Sequence, residues 1–201
     1  MRVWILVVAG GVLPLLLGAS LGSITTDAGE GTWAHPMEPT AHLLLMLGLA
    51  LAHALVVAGY VVTAQRSSGA AAAYAKVGAL GMAMVAICEV WSGLVAETDL
   101  DAPVITTLEI GYGLSSVVIV VGSVGAGLAL RSDGSPVALP LLVIGLVLVV
   151  AVTLRFTASD AVGVAALTAW HLLYVWFGLA LRRDTADPNA HRRRSTSVGH
   201  R

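Results

Sequence analysis

Two long apolar runs, residues 70–96 and 104–130, constrain the fold of this chain most strongly. A helix rises about 1.5 Å per residue, so each run is long enough to cross the roughly 30 Å hydrocarbon core of a bilayer. Each run also contains one carboxylate, Glu89 in the first and Glu109 in the second. Because ionisable groups in hydrocarbon are costly, they usually face a bundle interior, a partner or water. The two glutamates are therefore the first candidates for a functional site.

Composition extends this interpretation to the whole chain. Of its 201 residues, 57% are hydrophobic and only 11% are charged, whereas a soluble domain carries about 25% charged residues. We therefore expect an all-α integral membrane bundle in residues 1–182 and a basic, disordered tail in residues 183–201. Apolar runs predict six transmembrane helices, at residues 3–24, 40–65, 70–96, 104–130, 137–154 and 161–181.

The charges of the loops predict how the bundle is oriented. Basic residues fall on one side of the predicted spans, with Arg155 the one exception. Seven acidic residues fall on the other side: Asp27, Glu30, Glu38, Glu97, Asp99, Asp101 and Asp160. The positive-inside rule then places both termini in the cytoplasm. The arginine-rich, alanine-rich composition is typical of a bacterial protein, so we expect a multi-pass protein of the bacterial plasma membrane.

The partners expected from these features are mostly lipids. The bilayer surrounds the bundle, and the arginines of the tail are suited to anionic lipid. The chain is short for a self-contained transporter, so a membrane protein partner or a homo-oligomer is an open alternative. So short a basic patch does not indicate nucleic-acid binding.

Polar residues recur on one face of three predicted helices, which suggests a shared polar interior. Their spacings return to nearly the same direction at about 100° per residue. We therefore expect helices two, three, four and six to enclose this interior, while helices one and five face lipid more. The three stripes are His42, Met46, Leu49, His53 and Tyr60; Glu109, Gly113, Ser116, Ser123 and Gly127; and Asp160, Leu167, His171, Tyr174 and Gly178.

The outer half of this interior predicts a ligand-binding site. Glu109 and Glu89 lie about 8 and 12 Å below the outer ends of their helices, and Arg155 can reach inward as their counter-charge. Mixed charge at this depth suits a small polar or cationic solute, which favours a transport-associated function. The alternative is an ion pair that only holds the helices in register. The predicted site consists of Glu89, Glu109, Arg155, His42 and Tyr112.

Two histidines support a different function. His53 and His171 both lie about 17–18 Å below the outer ends of their helices, near the middle of the bilayer. Two imidazoles at equal depth are what a bis-histidine haem needs, so haem is the one cofactor considered. The alternative is that each histidine makes a hydrogen bond within the bundle, to Tyr174 or to a backbone carbonyl. The protein would then be a structural or assembly subunit.

Other chemical motifs are weak or missing. His35, Glu38 and His42 could hold a metal ion at the outer surface, but their spacing fits no standard motif, and a solvated loop explains them as well. No Walker loop, His-Glu-x-x-His or dinucleotide fingerprint occurs, so no catalytic residue is assigned and an enzyme is not indicated. Cys88 is the only cysteine, which excludes an internal disulfide.

Overall fold

The computed structural model describes residues 2–21, 23–26, 29–157 and 160–186. These residues form an all-α bundle, as predicted, with two isolated β-bridges in the loops and no strand among the described residues. Five helices are long and apolar enough to cross a membrane, while the apolar part of α5, Ala138–Leu154, is shorter. The helices are α1 Val3–Leu21, α2 Pro39–Arg66, α3 Gly69–Leu94, α4 Pro103–Arg131, α5 Ala138–Thr157 and α6 Asp160–Ala186.

The helices pack as a closed ring in chain order. Each contacts its neighbours along the chain, α1 contacts α6 to complete the ring, and a smaller contact joins α2 to α6 across the interior. Neighbouring helices run antiparallel. One end of the ring, which we call the basic end, therefore carries Arg66 and Arg131. The other end, which we call the acidic end, carries Glu97 and Asp99.

Glycine allows the closest approach between helices. A Cβ atom at Gly122 of α4 would collide with the backbone of Gly78 on α3, and one at Gly127 would meet the backbone of α5. The sequence places these glycines in the small-xxx-small pairs Gly122/Ala126 and Ser123/Gly127, which are typical of closely packed membrane helices. Gly122 and Gly127, in the lower half of α4, therefore serve close helix contact.

The helix ends differ from the predicted spans by three or more residues at three places. Helix α1 ends at Leu21 rather than residue 24, and α5 continues to Thr157, so Arg155 lies in a helix and not in a loop. Helix α6 continues to Ala186, one turn beyond the predicted span. Contacts at the basic end explain this extension: Asp184 lies 3.8 Å from Arg66, and the Arg182 guanidinium lies over the Trp4 ring. The predicted lipid-binding tail beyond residue 186 lies outside the described residues.

The loop before α2 covers the acidic end of the ring. The backbone N–H groups of Trp33 and Ala34 donate hydrogen bonds to the carbonyls of Thr98 and Ala96, in the link between α3 and α4. Pro39 occupies the first turn of α2, where its missing N–H costs nothing. The sequence predicts a polar loop here, and the structure adds that the loop is fastened to the next link.

Candidate functional site

A buried histidine–glutamate pair lies at the centre of the bundle. His53 of α2 is 2% exposed and Glu89 of α3 is 4% exposed. The His53 Nδ1 atom lies 2.8 Å from the Glu89 carboxylate, within hydrogen-bond distance. Breaking such a pair by removing one partner is expensive, because the other is then left buried without a partner.

A second histidine, His171 of α6, packs beside this pair. The ring centroids of His53 and His171 are 5.4 Å apart. The His171 Nδ1 atom lies 2.8 Å from the backbone carbonyl of Leu167, one turn earlier in the same helix. A carbonyl oxygen can only accept, so Nδ1 carries the proton of that bond. In the neutral ring, Nε2 of His171 therefore has a free lone pair.

The indole of Trp170 completes a cluster of three rings, the ring cluster, with His53 and His171. Its centroid lies 5.6 Å from His53 and 5.1 Å from His171. Each ring has one buried nitrogen without a hydrogen-bond partner among the described residues: Nε2 of His53, Nε1 of Trp170 and Nε2 of His171. Buried polar atoms are nearly always hydrogen-bonded, so three unpaired nitrogens in mutual ring contact are unusual.

Polar groups continue from the ring cluster towards the basic end. The Tyr174 hydroxyl donates to the sulfur of Met82 at 3.3 Å, and its ring packs edge-on against Trp170. Further along, the hydroxyls of Tyr60 and Ser123 are 2.6 Å apart. Both tyrosines are fully buried. The predicted stripes of helices two, four and six therefore do share the interior of the bundle at these points.

Towards the acidic end, Ser92 organises a second group of polar side chains. The Trp33 indole N–H donates to the Ser92 hydroxyl at 2.7 Å, and His42 Nε2 lies 3.3 Å from the same oxygen. The Tyr112 hydroxyl also interacts with Ser92. Because Ser92 follows Glu89 by one helical turn, this group lies directly above the buried pair.

The structure separates the residues of the predicted outer site. Glu89 and His42 are buried near Ser92 and Tyr112 is half-buried beside it, but Glu109 is exposed on the surface of α4. The backbone of Arg155 belongs to α5, and its side chain lies outside the described part of the structure. The carboxylate of Glu89 contacts His53, a partner that sequence reasoning did not assign to it.

The predicted surface metal ligands have other roles in the described structure. Glu38 caps α2 by accepting a hydrogen bond from the backbone N–H of Ala41, His42 faces Ser92, and His35 is exposed. Among the residues that the structure describes, no three His, Cys, Asp or Glu side chains are close enough to hold a metal ion together.

Trp170, Met82 and Ser92 are the site residues that sequence reasoning missed. Trp170 directly precedes His171 in the sequence. Its position next to a predicted site residue was the available signal. Met82 and Ser92 lie seven residues before and three residues after Glu89, spacings that return to the same face of α3. Apolar and small residues carry no chemical signal of their own, so only the helix periodicity could have indicated them.

Comparison of the chain with protein-family models, curated proteins and solved structures finds no match. The assignment of function therefore depends on the geometry of the described residues alone. That geometry defines a helical multi-pass membrane protein with ionisable groups in its interior.

The cap at Glu38 gives a pH-dependent prediction. Hydrogen bonds from the backbone N–H groups of Thr40 and Ala41 hold the pKa of this carboxylate below its ordinary value, which is about 4.3 in an unfolded chain. The stability that it adds is fully present above that value and is lost as the pH falls through the lower folded pKa. Replacing Glu38 by Ala should therefore lower the melting temperature at about pH 7 and change it much less at about pH 3.

The matched control is Glu30→Ala, which removes an exposed carboxylate from the same loop. Thermal melts of both variants in detergent measure the effect. If Glu38→Ala and Glu30→Ala show equal pH dependence, the cap contributes no specific stability.

Proposed function

We propose that the protein is a proton-coupled, transport-associated protein of a bacterial plasma membrane, and that His53, Glu89 and His171 carry the proton. One observation supports this above all others: the 2.8 Å contact between two buried ionisable groups beside a second imidazole. Chains of glutamate and histidine inside membrane proteins are typical of proton relays in pumps and transporters.

The pair can exchange a proton without losing its hydrogen bond. With Glu89 ionised, Nδ1–H of His53 donates to the carboxylate. With Glu89 protonated, its O–H donates to Nδ1, and the imidazole proton lies on Nε2. A proton that arrives at Nε2 of His53 can therefore leave from Nδ1 to Glu89. Without the added proton the pair carries one net negative charge, and with it the pair is neutral. Because burial disfavours net charge, binding of the proton changes the free energy of the interior strongly.

The ring cluster supplies a route from His53 to His171. Nε2 of His171 is free to accept because Nδ1 is held by Leu167. One water molecule could accept from the Trp170 N–H and hydrogen-bond to both imidazole nitrogens, which would satisfy all three unpaired atoms. The proton then passes between His53 and His171 through that water.

Two sets of polar side chains lie on either side of the His53–Glu89 pair. In this proposal they connect the pair to the two ends of the bundle. Ser92, His42 and Trp33 extend towards the acidic end, and the Tyr174 and Tyr60 hydroxyls extend towards the basic end. The solute remains the small polar or cationic class that the sequence suggests, and the arginine-rich basic end would face the cytoplasm.

A pH jump tests this function without knowledge of the solute. The protein is reconstituted in liposomes on a solid-supported membrane, and the outside pH is lowered rapidly. Because protons reach a buried site through part of the membrane, the wild type should give a transient current. Glu89→Gln keeps the shape and a hydrogen bond to His53 but cannot be ionised, so we expect it to lose most of that current.

Glu109→Gln is the control, since Glu109 also lies in an apolar helix but is exposed. Its current should equal that of the wild type. A Glu89→Gln variant that is folded and retains the full current would contradict the proposal, as would the same loss in both variants.

Haem binding is the second candidate, and one observation favours it. Both imidazoles have Nδ1 engaged by a protein acceptor or partner and Nε2 unpaired, the usual arrangement of a ligating histidine. Against it, Trp170 packs on both rings and would have to move to admit a macrocycle. A Soret band in the purified protein that His171→Ala abolishes would establish haem ligation and replace the proton relay.

A further inference from the structure

A cavity of about 410 Å³ opens between α2 and α3 near the basic end of the ring. Its lining consists of Val61, Ala64 and Gln65 from α2 and Lys76 and Ala79 from α3. We call it the basic-end groove. The ring cluster of α2 and α6 and its partner Glu89 of α3 lie elsewhere, in the interior, so the groove is independent of the proposed proton site.

The groove combines one cation with an apolar floor. Lys76, the only lysine of the chain, is exposed, and no hydrogen bond or ion pair links it to any residue that the structure describes. It begins about 10 Å into α3, surrounded by apolar neighbours. Small side chains at Ala64 and Ala79 leave the groove open below it.

We propose that the basic-end groove binds one anionic phospholipid. The phosphodiester accepts hydrogen bonds from the Lys76 ammonium and the Gln65 amide, and an acyl chain lies against Val61 and Ala79. A lysine in this position can extend along its apolar stem towards the head-group level. Basic pockets between membrane helices select anionic head groups because charge attraction acts in a poorly hydrated region.

Charge complementarity favours this occupant over a zwitterionic lipid. The groove contains a lysine and an amide but no carboxylate. Arg66, the next residue after Gln65, lies 3.8 Å from Asp184 and does not line the groove, so Lys76 is the cation of the groove lining. An anionic lipid would bring the negative charge that the lining of the groove lacks.

The test counts the lipids that remain on the purified protein. Wild type in nanodiscs of equal phosphatidylglycerol and phosphatidylcholine is released into detergent and analysed by native mass spectrometry. We expect one phosphatidylglycerol to be retained in preference to phosphatidylcholine. Lys76→Met keeps the length of the side chain but removes its charge. Because a basic residue at this surface contributes about a fivefold preference, the variant should lose about that much.

Arg131→Gln is the charge control, because Arg131 lies at the basic end but does not line the groove. It should retain the lipid as the wild type does. Ala79→Leu fills the groove without changing charge and should also reduce retention, whereas Ala73→Leu, at an exposed position of α3 outside the groove, should not.

Three outcomes would overturn the proposal. Retention that is unchanged in Lys76→Met would show that Lys76 only extends to the head groups. Equal losses in Lys76→Met and Arg131→Gln would indicate general attraction to an anionic surface. Displacement of the lipid by millimolar inorganic phosphate would identify a soluble anion as the ligand.

Discussion

Replacing His53 by Leu is expected to lower the free energy of unfolding by about 3–5 kcal/mol, because Glu89 then remains buried without a partner. Leucine fills most of the volume of the imidazole, so a cavity does not explain the loss. Glu89→Leu alone should cost a similar amount, since His53 Nδ1 then has no partner. The double variant should recover most of the stability, because two apolar side chains need no hydrogen bond.

Steric trapping in bicelles measures these free energies, with Glu109→Leu as the control at an exposed position. That control should change stability by less than about 0.5 kcal/mol. Losses that simply add in the double variant would show that the two side chains act independently, despite their 2.8 Å separation. Recovery in the double variant would show that folding does not require the pair, which leaves function as the reason for its presence.

Replacing Gly122 by Ala is expected to cost about 2 kcal/mol or more, although alanine is the better helix former. The new Cβ atom would collide with backbone atoms of Gly78, so α3 and α4 must move apart along their contact. Backbone cannot give way as a flexible side chain can, and overfilling a close contact typically costs about 1–3 kcal/mol.

Gly113→Ala provides the same substitution on the same helix without the collision. Nothing lies within 4 Å of its added Cβ atom, so this variant should gain up to about 1 kcal/mol from helix propensity. The same unfolding measurement compares the two. Equal effects at both positions would mean that the α3–α4 contact tolerates separation.

Hydrophobicity alone made the helices predictable. Each apolar run is long enough for a helix whose backbone groups satisfy one another, which is the arrangement that lipid enforces. The helix ends were less predictable, because contacts such as Arg66 with Asp184 extend α6 beyond its apolar segment. The closing contact between α1 and α6 has little signal in the sequence beyond two glycines. An added Cβ at Gly11 would meet the backbone of His171, and one at Gly178 would meet the backbone of Trp4.

The candidate site was predicted in part, since Glu89, His53 and His171 were all singled out. Their partnership was not, because Arg155 was taken as the counter-charge of a glutamate. The register of α2 against α3 contains the missing information. Tyr60 meets Gly78 and Met46 meets Gly93, so His53, midway between 46 and 60, faces a point about one turn from Glu89. Predicting this register requires knowing where α2 ends and where α3 begins. The sequence alone leaves these helix ends uncertain by a few residues.

The closed ring has a consequence for biosynthesis. The chain is made from its N-terminus, so α1 enters the membrane long before α6, the helix against which its Gly11 face packs. Until the last helix arrives, the ring has a lateral opening between α1 and α5, and His53 and Glu89 border that opening without Trp170 or His171. A ribosome that stalls before residue 160 would thus leave an unsealed bundle with the ionisable pair accessible from its side.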